Sequence, residues 1–220
     1  MFGHAGTPVL FFPTRTARFY DYENWRIVDA VKDKIESGKL QLFCVDSIDI
    51  ESFYANIPPA RKIKRHRQYE WYILYEVIPL IKYKNPNALT AAGCSLGGYH
   101  AVNIAFRHPD FFNKVVGMSS RYDLSKSSPA FADLFDGYFN EDIYHNMPSM
   151  YLPNITDEAM LNKLRKLKIV LAIGETDPFF DNNKHLDKAL TGKNIPHDFF
   201  IWNEEAHRPW HWRKMVQLYL

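Results

Sequence analysis

Residues 88–98 of the chain read ALTAAGCSLGG, and Gly93 to Gly97 match the pattern G-x-S-x-G. Residues 88–93 predict a short buried strand, and residues 97–108 predict a helix. A serine in such a strand-to-helix turn needs small neighbours, because the backbone crosses itself closely there. A glycine-rich turn without chemistry is the plainer alternative. The pattern and its position favour a nucleophile elbow that presents the Ser95 hydroxyl at the end of a strand.

Short apolar runs alternate with longer amphipathic stretches on both sides of this elbow. Five further strands are predicted at residues 9–12, 40–46, 115–119, 169–173 and 198–202. Further helices are predicted at residues 22–37, 61–82, 157–167, 182–190 and 210–220, with Pro79 kinking or ending the second of these. This alternation is typical of an α/β fold with a mostly parallel central sheet and helices on both faces.

The domain organisation follows from the chain length and from one irregular stretch. A length of 220 residues fits a single α/β domain that spans residues 1–220. Residues 121–154 form an insertion that is rich in aromatic residues, proline, serine and aspartate and only weakly periodic. A long stretch of this kind is usually a lid or a binding loop. Its aromatic side chains fit either a cover over the sheet or the wall of a pocket.

Charge and composition exclude several classes of protein. The chain has 27 basic and 25 acidic residues, and its net charge of +2 does not predict a nucleic-acid-binding or membrane-surface protein. No apolar run approaches the roughly 18 residues that cross a bilayer, and the first residues lack the basic segment of a signal peptide. Two cysteines, Cys44 and Cys94, are too few for a disulfide framework. We expect a cytoplasmic protein.

A nucleophilic serine needs a histidine base, and the base needs an acid that orients it. Ligands of open α/β sheets bind at the carboxyl ends of the strands, so the acid and the base are sought there. Asp177 follows the predicted strand at residues 169–173 and is the favoured acid, with Asp181 as the alternative. His207 follows the last predicted strand and is the favoured base, with His211 as the alternative.

An oxyanion hole needs two N–H donors beside the nucleophile. Leu96 follows Ser95 directly and is expected to supply one of them. The turn after the first strand is expected to supply the other, through the backbone of Thr14 or Arg15. The plain alternative for Arg15 is a charged residue of a surface loop.

Metal and cofactor sites lack a matching pattern. Glu204, Glu205, His207 and His211 could be read as metal ligands, but their order differs from H-E-x-x-H and Pro209 would interrupt a helix there. The sequence contains neither G-x-x-x-x-G-K-[ST] nor G-x-G-x-x-G, which are the patterns of nucleotide-binding loops. We expect neither a metal nor an organic cofactor.

Several segments resemble those of a group of bacterial esterases in the α/β-hydrolase superfamily, whose elbow reads G-C-S-x-G. These segments are VLFFPT at 9–14, RFYDYE at 18–23, LFCVDS at 42–47, GCSLGGYHA at 93–101 and HRPWHW at 207–212. The resemblance covers nearly the whole chain and matches Ser95 and His207 to the nucleophile and base of the group. Relatives usually carry glycine or serine at the turn that holds Arg15, and often an acidic residue in place of Arg208. They also tend to carry an N-terminal hairpin, and here the sheet is expected without those antiparallel strands.

These observations together predict a serine hydrolase that cleaves a small carboxylic ester through an acyl-Ser95 intermediate. Two alternatives stay open. The first is an acyltransferase on the same scaffold, in which an alcohol outcompetes water. The second is a non-catalytic binding protein of the same fold, in which Arg15 blocks the oxyanion site. Homodimers are common among such folds, but no stretch of the sequence identifies an interface.

Overall fold

The computed structural model describes residues 1–128 and 130–220 and contains a six-stranded sheet. The strands are β1 (Thr7–Phe12), β2 (Leu40–Cys44), β3 (Leu89–Cys94), β4 (Phe112–Met118), β5 (Lys168–Gly174) and β6 (His197–Trp202). They lie in the order β2-β1-β3-β4-β5-β6, and every neighbouring pair is parallel. The chain runs outward in opposite directions from β1, so the switch in strand order places a crevice beside the carboxyl ends of β1 and β3. The predicted α/β class is confirmed.

The helices lie between the strands, as the alternation predicts. They are α1 (Asp21–Asn24), α2 (Ile27–Ala30), α3 (Lys32–Glu36), α4 (Pro59–Tyr72), α5 (Ile78–Lys84), α6 (Leu96–Arg107), α7 (Glu141–Tyr144), α8 (Pro148–Tyr151), α9 (Glu158–Lys166), α10 (Phe180–Gly192) and α11 (Pro209–Tyr219). The ends of α6, α9, α10 and α11 fall within two residues of the predicted ends.

The single helix predicted over residues 22–37 is wrong, because α1, α2 and α3 are three separate short helices. Arg26 lies between the first two and has a φ of 58°, a left-handed conformation that a right-handed helix cannot continue through. Val31 separates the second and third with a φ of −113°. Because of these breaks, Tyr22 lies on a separate helical turn, and its side chain is fully buried against the sheet.

The helix predicted over residues 61–82 extends further than expected and continues past Pro79. A π-helical turn, Ile73–Val77, joins α4 to α5, and Pro79 lies in the first turn of α5. Proline is tolerated in a first turn because its missing N–H would have no regular partner there. The helical segment therefore runs on to Lys84 instead of ending at Pro79.

The core has two layers, one on each face of the sheet, and strand β1 shows why. Leu10 and Phe12 point into the layer formed with α4, α5, α6, α9 and α10. Val9 and Phe11 point into the opposite layer, formed with α1, α2 and α11. A strand covered on both faces needs apolar residues at every position, which explains its continuous apolar run.

The predicted insertion at residues 121–154 is described except for residue 129, which lies outside the described residues. It contains α7 and α8, and its aromatic residues have different roles. Tyr122 and Phe135 are fully buried, whereas Tyr138 and Phe139 are exposed. Phe131 lines a cavity above the sheet. Both predicted roles of these residues, cover and pocket wall, therefore occur.

The first residues of the chain contact the outer strand β2 of the sheet. Phe2 forms an isolated antiparallel bridge with Leu42 of β2, through two hydrogen bonds of 2.9 Å. Within the described ranges, no helix combines the length and the apolar character that crossing a bilayer requires.

Candidate active site

Ser95 occupies the turn between β3 and α6 in an uncommon backbone conformation. Its φ is 54° and its ψ is −125°, which few non-glycine residues adopt. Its N–H donates to the carbonyl oxygen of Met118 at 2.8 Å, and its own carbonyl accepts from the N–H of Gly98 at 3.0 Å. These bonds fix both sides of the peptide backbone around Ser95. The expected elbow geometry is present at this residue.

Two glycines make this turn possible through close backbone approach. A Cβ atom on Gly93 would collide with the backbone of Gly97. A Cβ atom on Gly97 would collide with the carbonyl oxygens of Phe12 and Pro13. The second contact shows that the start of α6 lies directly against the end of β1. The turn after β1 therefore follows immediately beside the elbow.

His207 forms hydrogen bonds with both Ser95 and Asp177. Its Nδ1 lies 2.8 Å from Asp177 Oδ2, and its Nε2 lies 3.0 Å from Ser95 Oγ. Because a carboxylate only accepts, Nδ1 carries the proton and Nε2 is free to accept from the serine hydroxyl. The rings of Phe179 and Trp212 each lie 5.6 Å from the imidazole, centroid to centroid, and confine it.

Asp177 is held in place by its own turn. Its side chain is fully buried, and its Oδ1 accepts the N–H of Phe179 at 2.9 Å. That bond leaves Oδ2 directed at His207. A buried carboxylate needs such donors because an unpaired charge in the interior is costly.

The structure does not bring the two alternative residues to Ser95. Asp181 is exposed at the start of α10 and lines a neighbouring cavity. His211 is buried in α11, where its Nε2 lies 3.0 Å from Glu204 Oε2. Cys94, next to the serine, is fully buried, and burial raises the pKa of its thiol. A neutral buried thiol is a poor nucleophile.

The predicted oxyanion donors lie together at the mouth of the crevice. Leu96 is the first residue of α6, and with Thr14 and Arg15 it lines the same cavity as Ser95. Among residues 1–128 and 130–220, none accepts a hydrogen bond from the N–H groups of these three residues. Free N–H donors at a helix start can stabilise developing negative charge.

The cavity above Ser95 has a volume of about 420 Å³. Aromatic rings form much of its wall. The aromatic lining residues are Trp25, Tyr54, Phe131, Phe179 and Trp212. A cavity of this size accommodates a small-molecule ester.

Tyr22 supports the elbow in a way that the sequence did not reveal. Its buried hydroxyl donates to the carbonyl oxygen of Phe12 at 2.7 Å and accepts the N–H of Cys94 at 3.0 Å. One side chain thus joins the carboxyl ends of β1 and β3. In the sequence, Tyr22 stands out only as a member of the RFYDYE segment. No local pattern predicts its contact with Cys94, which lies 72 residues away.

Asp49 and His100 form a second buried pair that sequence reasoning missed. Asp49 Oδ1 lies 3.1 Å from His100 Nε2, and Asp49 Oδ2 accepts the N–H of Thr16 at 3.2 Å. Thr16 has a left-handed φ of 54° and follows Arg15 directly. Nearby, burial and the neighbouring His100 lower the pKa of His66 to about 3, so His66 stays neutral. Through the bond to Thr16, the Asp49 carboxylate holds the turn that carries Thr14 and Arg15, the predicted oxyanion donors.

Replacing Asp49 with alanine is expected to lower kcat for ester hydrolysis by about tenfold to a hundredfold, with little change in KM. The reason is that a loosened Thr16 misplaces donors that act mainly in the transition state. Steady-state kinetics on a soluble aryl ester measures both constants. The matched control is Asp49→Asn, which keeps one acceptor oxygen for Thr16 and should retain more activity. A rise in KM at unchanged kcat would contradict this role.

Metal ligands do not cluster in the part of the chain that the structure describes. No group of three or more His, Cys, Asp or Glu side chains has the arrangement of a metal site there. Glu204 pairs with His211, whereas His207 pairs with Asp177 and Ser95.

Comparison with known proteins places the chain in a family. A family model described as "Putative esterase" matches residues 20–210. Among curated proteins, none matches the sequence. A ferulic acid esterase structure superposes with a TM-score of 0.73 at 20% identity, covering 98% of this chain and 84% of the other.

Two S-formylglutathione hydrolases have a similar fold. The enzyme from Staphylococcus aureus gives a TM-score of 0.64 at 17% identity, with 99% of this chain and 80% of the other covered. The enzyme from Agrobacterium tumefaciens gives 0.68 at 14% identity, with 97% and 82% covered. These likenesses establish the fold, and the family model extends over most of the sequence. The chain therefore belongs to this esterase family, is an ester hydrolase and has the α/β-hydrolase fold.

Proposed function

We propose that Ser95, His207 and Asp177 form a catalytic triad that hydrolyses small carboxylic esters through an acyl-Ser95 intermediate. The observation that carries this proposal is the continuous hydrogen-bond chain from Asp177 Oδ2 through the imidazole to Ser95 Oγ, with links of 2.8 and 3.0 Å. These distances lie within the range that a nucleophile and its general base need.

Acylation begins when Ser95 Oγ attacks the ester carbonyl carbon and His207 Nε2 takes the hydroxyl proton. The carbonyl oxygen becomes an oxyanion that accepts the N–H of Leu96 and one N–H from the Thr14–Arg15 turn. The bond to the alcohol oxygen then breaks, and His207 returns the proton to that oxygen. Asp177 stabilises the imidazolium that exists between the two proton transfers.

Deacylation repeats these steps with water. His207 takes one proton from a water molecule as its oxygen attacks the acyl carbon. The bond from that carbon to Ser95 Oγ breaks, and the proton passes to the serine oxygen. The products are the carboxylic acid and the free enzyme. Neither half of the cycle requires a metal or an organic cofactor.

The position of Arg15 favours catalysis over the alternative of a blocked binding protein. Its guanidinium carbon lies 5.5 Å from the ring centroid of Tyr54, at the side of the cavity. The side chain is therefore drawn towards the wall by a cation–π contact.

We further propose that residues 1–220 fold as one domain, with the insertion at 121–154 forming one wall of the cavity.

The cytoplasm is the compartment that we propose for this enzyme. Cys44 and Cys94 are both free in the structure. Burial raises the pKa of the Cys44 thiol to about 12, so that thiol is unreactive. Free thiols persist in a reducing compartment.

A fluorophosphonate probe tests the proposed nucleophile directly. We expect intact-mass spectrometry to show one adduct on the wild-type protein, formed when Ser95 Oγ attacks phosphorus and fluoride leaves. Ser95→Ala is expected to show none, with an unchanged circular dichroism spectrum as the control for folding. An adduct on the alanine variant, or none on the folded wild type, would rule out Ser95 as the activated serine.

A further inference from the structure

The residues that line the cavity above Ser95 include several basic side chains and no acidic ones. Of its fourteen lining residues, three are arginine and none is aspartate or glutamate. The arginines are Arg15, Arg121 and Arg208. A concave apolar site with one sign of charge concentrates ligands of the opposite sign.

Arg121 is the unusual member of this group because it is only 4% exposed. Its Nε donates to the carbonyl oxygen of Asp123 at 3.2 Å, and its Nη2 donates to those of Leu124, Lys126 and Ala132. Within the described part of the chain, Nη1 has no acceptor, and no carboxylate forms an ion pair with the guanidinium. The loop carbonyls orient the group, while the nearby charges of Asp123 and Asp133 favour its charged form without forming an ion pair with it.

A buried cation without a carboxylate partner is costly to maintain. Burial lowers the pKa of Arg121 below its ordinary value, yet a guanidinium remains charged at neutral pH. The ring of Phe179 lies 5.6 Å from the guanidinium carbon and covers one side of it. A ligand that brings a negative charge to the open Nη1 would offset the cost of burying this group.

Arg15 and Tyr54 stand beside Arg121 at one corner of the cavity. Arg15 is exposed, packs against the Tyr54 ring and forms no ion pair with any residue that the structure describes. Burial raises the pKa of Tyr54, and the nearby charges of Arg15 and Arg121 oppose that rise. The same three residues also line an adjoining cavity of about 350 Å³. These three residues therefore lie where the cavity above Ser95 meets the adjoining cavity.

We propose that Arg15, Arg121 and Tyr54 form an anion subsite, and that the enzyme acts on esters that carry a carboxylate away from the scissile bond. A planar carboxylate matches the geometry of guanidinium N–H donors and the tyrosine hydroxyl. This inference rests on the proposed role of Ser95, because it assigns the substrate class of that same site. The ester carbonyl would lie at Ser95 and the carboxylate at the corner between the two cavities.

Two pairs of esters that differ only in charge test the subsite. The first pair, 4-acetoxybenzoate and its methyl ester, carries the charge on the alcohol part. The second pair, 4-nitrophenyl hydrogen adipate and 4-nitrophenyl methyl adipate, carries it on the acyl part. We expect kcat/KM to be about tenfold or more higher for the anionic member of at least one pair, and the preference to shrink at high salt.

Arg15→Met is the principal variant, because Arg15 is exposed and the substitution keeps its backbone N–H. The ratio of kcat/KM between the anionic and neutral members is expected to fall by about tenfold. Arg61→Met is the matched control, since Arg61 is an exposed residue of α4 and does not line the cavity. This control should leave the ratio unchanged.

Binding to Ser95→Ala separates failure of the subsite from failure of the proposed catalysis. Adipate is expected to bind to this variant and to change the fluorescence of Trp25 and Trp212, which line the cavity. Adding Arg15→Met should weaken that binding about tenfold. Equal rates within both ester pairs, together with no adipate binding, would overturn the subsite. Adipate binding without hydrolysis of any ester would instead contradict the proposed role of Ser95.

Discussion

His207→Ala is expected to lower kcat/KM for ester hydrolysis by about 10⁴-fold or more. Among the residues that the structure describes, no other base forms a hydrogen bond with Ser95 Oγ, so the hydroxyl proton would have no acceptor on the protein. The bond of 3.0 Å from His207 Nε2 to the serine oxygen would be lost, and Asp177 would keep a buried charge with only one donor. Stopped-flow or steady-state kinetics with a 4-nitrophenyl ester measures the loss of kcat/KM.

His211→Ala is the matched control for this variant. His211 belongs to the same C-terminal segment, is buried and also lies beside a carboxylate, that of Glu204. Its removal is expected to change stability more than turnover, because it does not reach the serine. If His211→Ala abolished hydrolysis while His207→Ala retained it, the assignment of the base would be wrong.

Asp177→Asn is expected to lower kcat by about 10⁴-fold while the fold is kept. The asparagine amide would donate to His207 Nδ1, where the carboxylate now accepts. That exchange moves the imidazole proton to Nε2, which then points at Ser95 and can no longer accept its proton. The N–H of Phe179 can still bond to the amide oxygen, so the turn is expected to remain intact.

The control for this second prediction is Asp181→Asn. Asp181 is exposed in the first turn of α10. Its neutralisation is expected to leave kcat close to the wild-type value. Thermal unfolding of both variants distinguishes a catalytic loss from a general loss of structure. Equal losses of kcat in the two variants would remove Asp177 from its proposed role.

The parts of the site that the sequence predicted share a physical reason. Ser95, Asp177 and His207 each follow a strand, and parallel strands bring their carboxyl ends to one edge of the sheet. Chain order and strand position are therefore enough to indicate that the three side chains meet. The roles of the three side chains remain predictions until the variants are measured.

The parts that the sequence did not predict depend on contacts between distant segments. Asp49 meets His100 across 51 residues and Thr16 across 33, and no periodic pattern encodes either contact. The break at Arg26 is of the same kind, because its left-handed backbone is not a property of arginine. The turn that precedes it buries Tyr22, and no local pattern marks where that turn ends.

The contact between Gly97 and the carbonyl oxygen of Phe12 links activity to the order in which the chain assembles. These residues lie far apart in the sequence, so they meet only after β1 has docked beside β3. A refolding intermediate with formed helices but an unpaired β1 would contain Ser95 and still lack the adjoining turn of donors. Recovery of hydrolysis during refolding should therefore coincide with the slow, non-local closure of the sheet, rather than with the early return of helical signal.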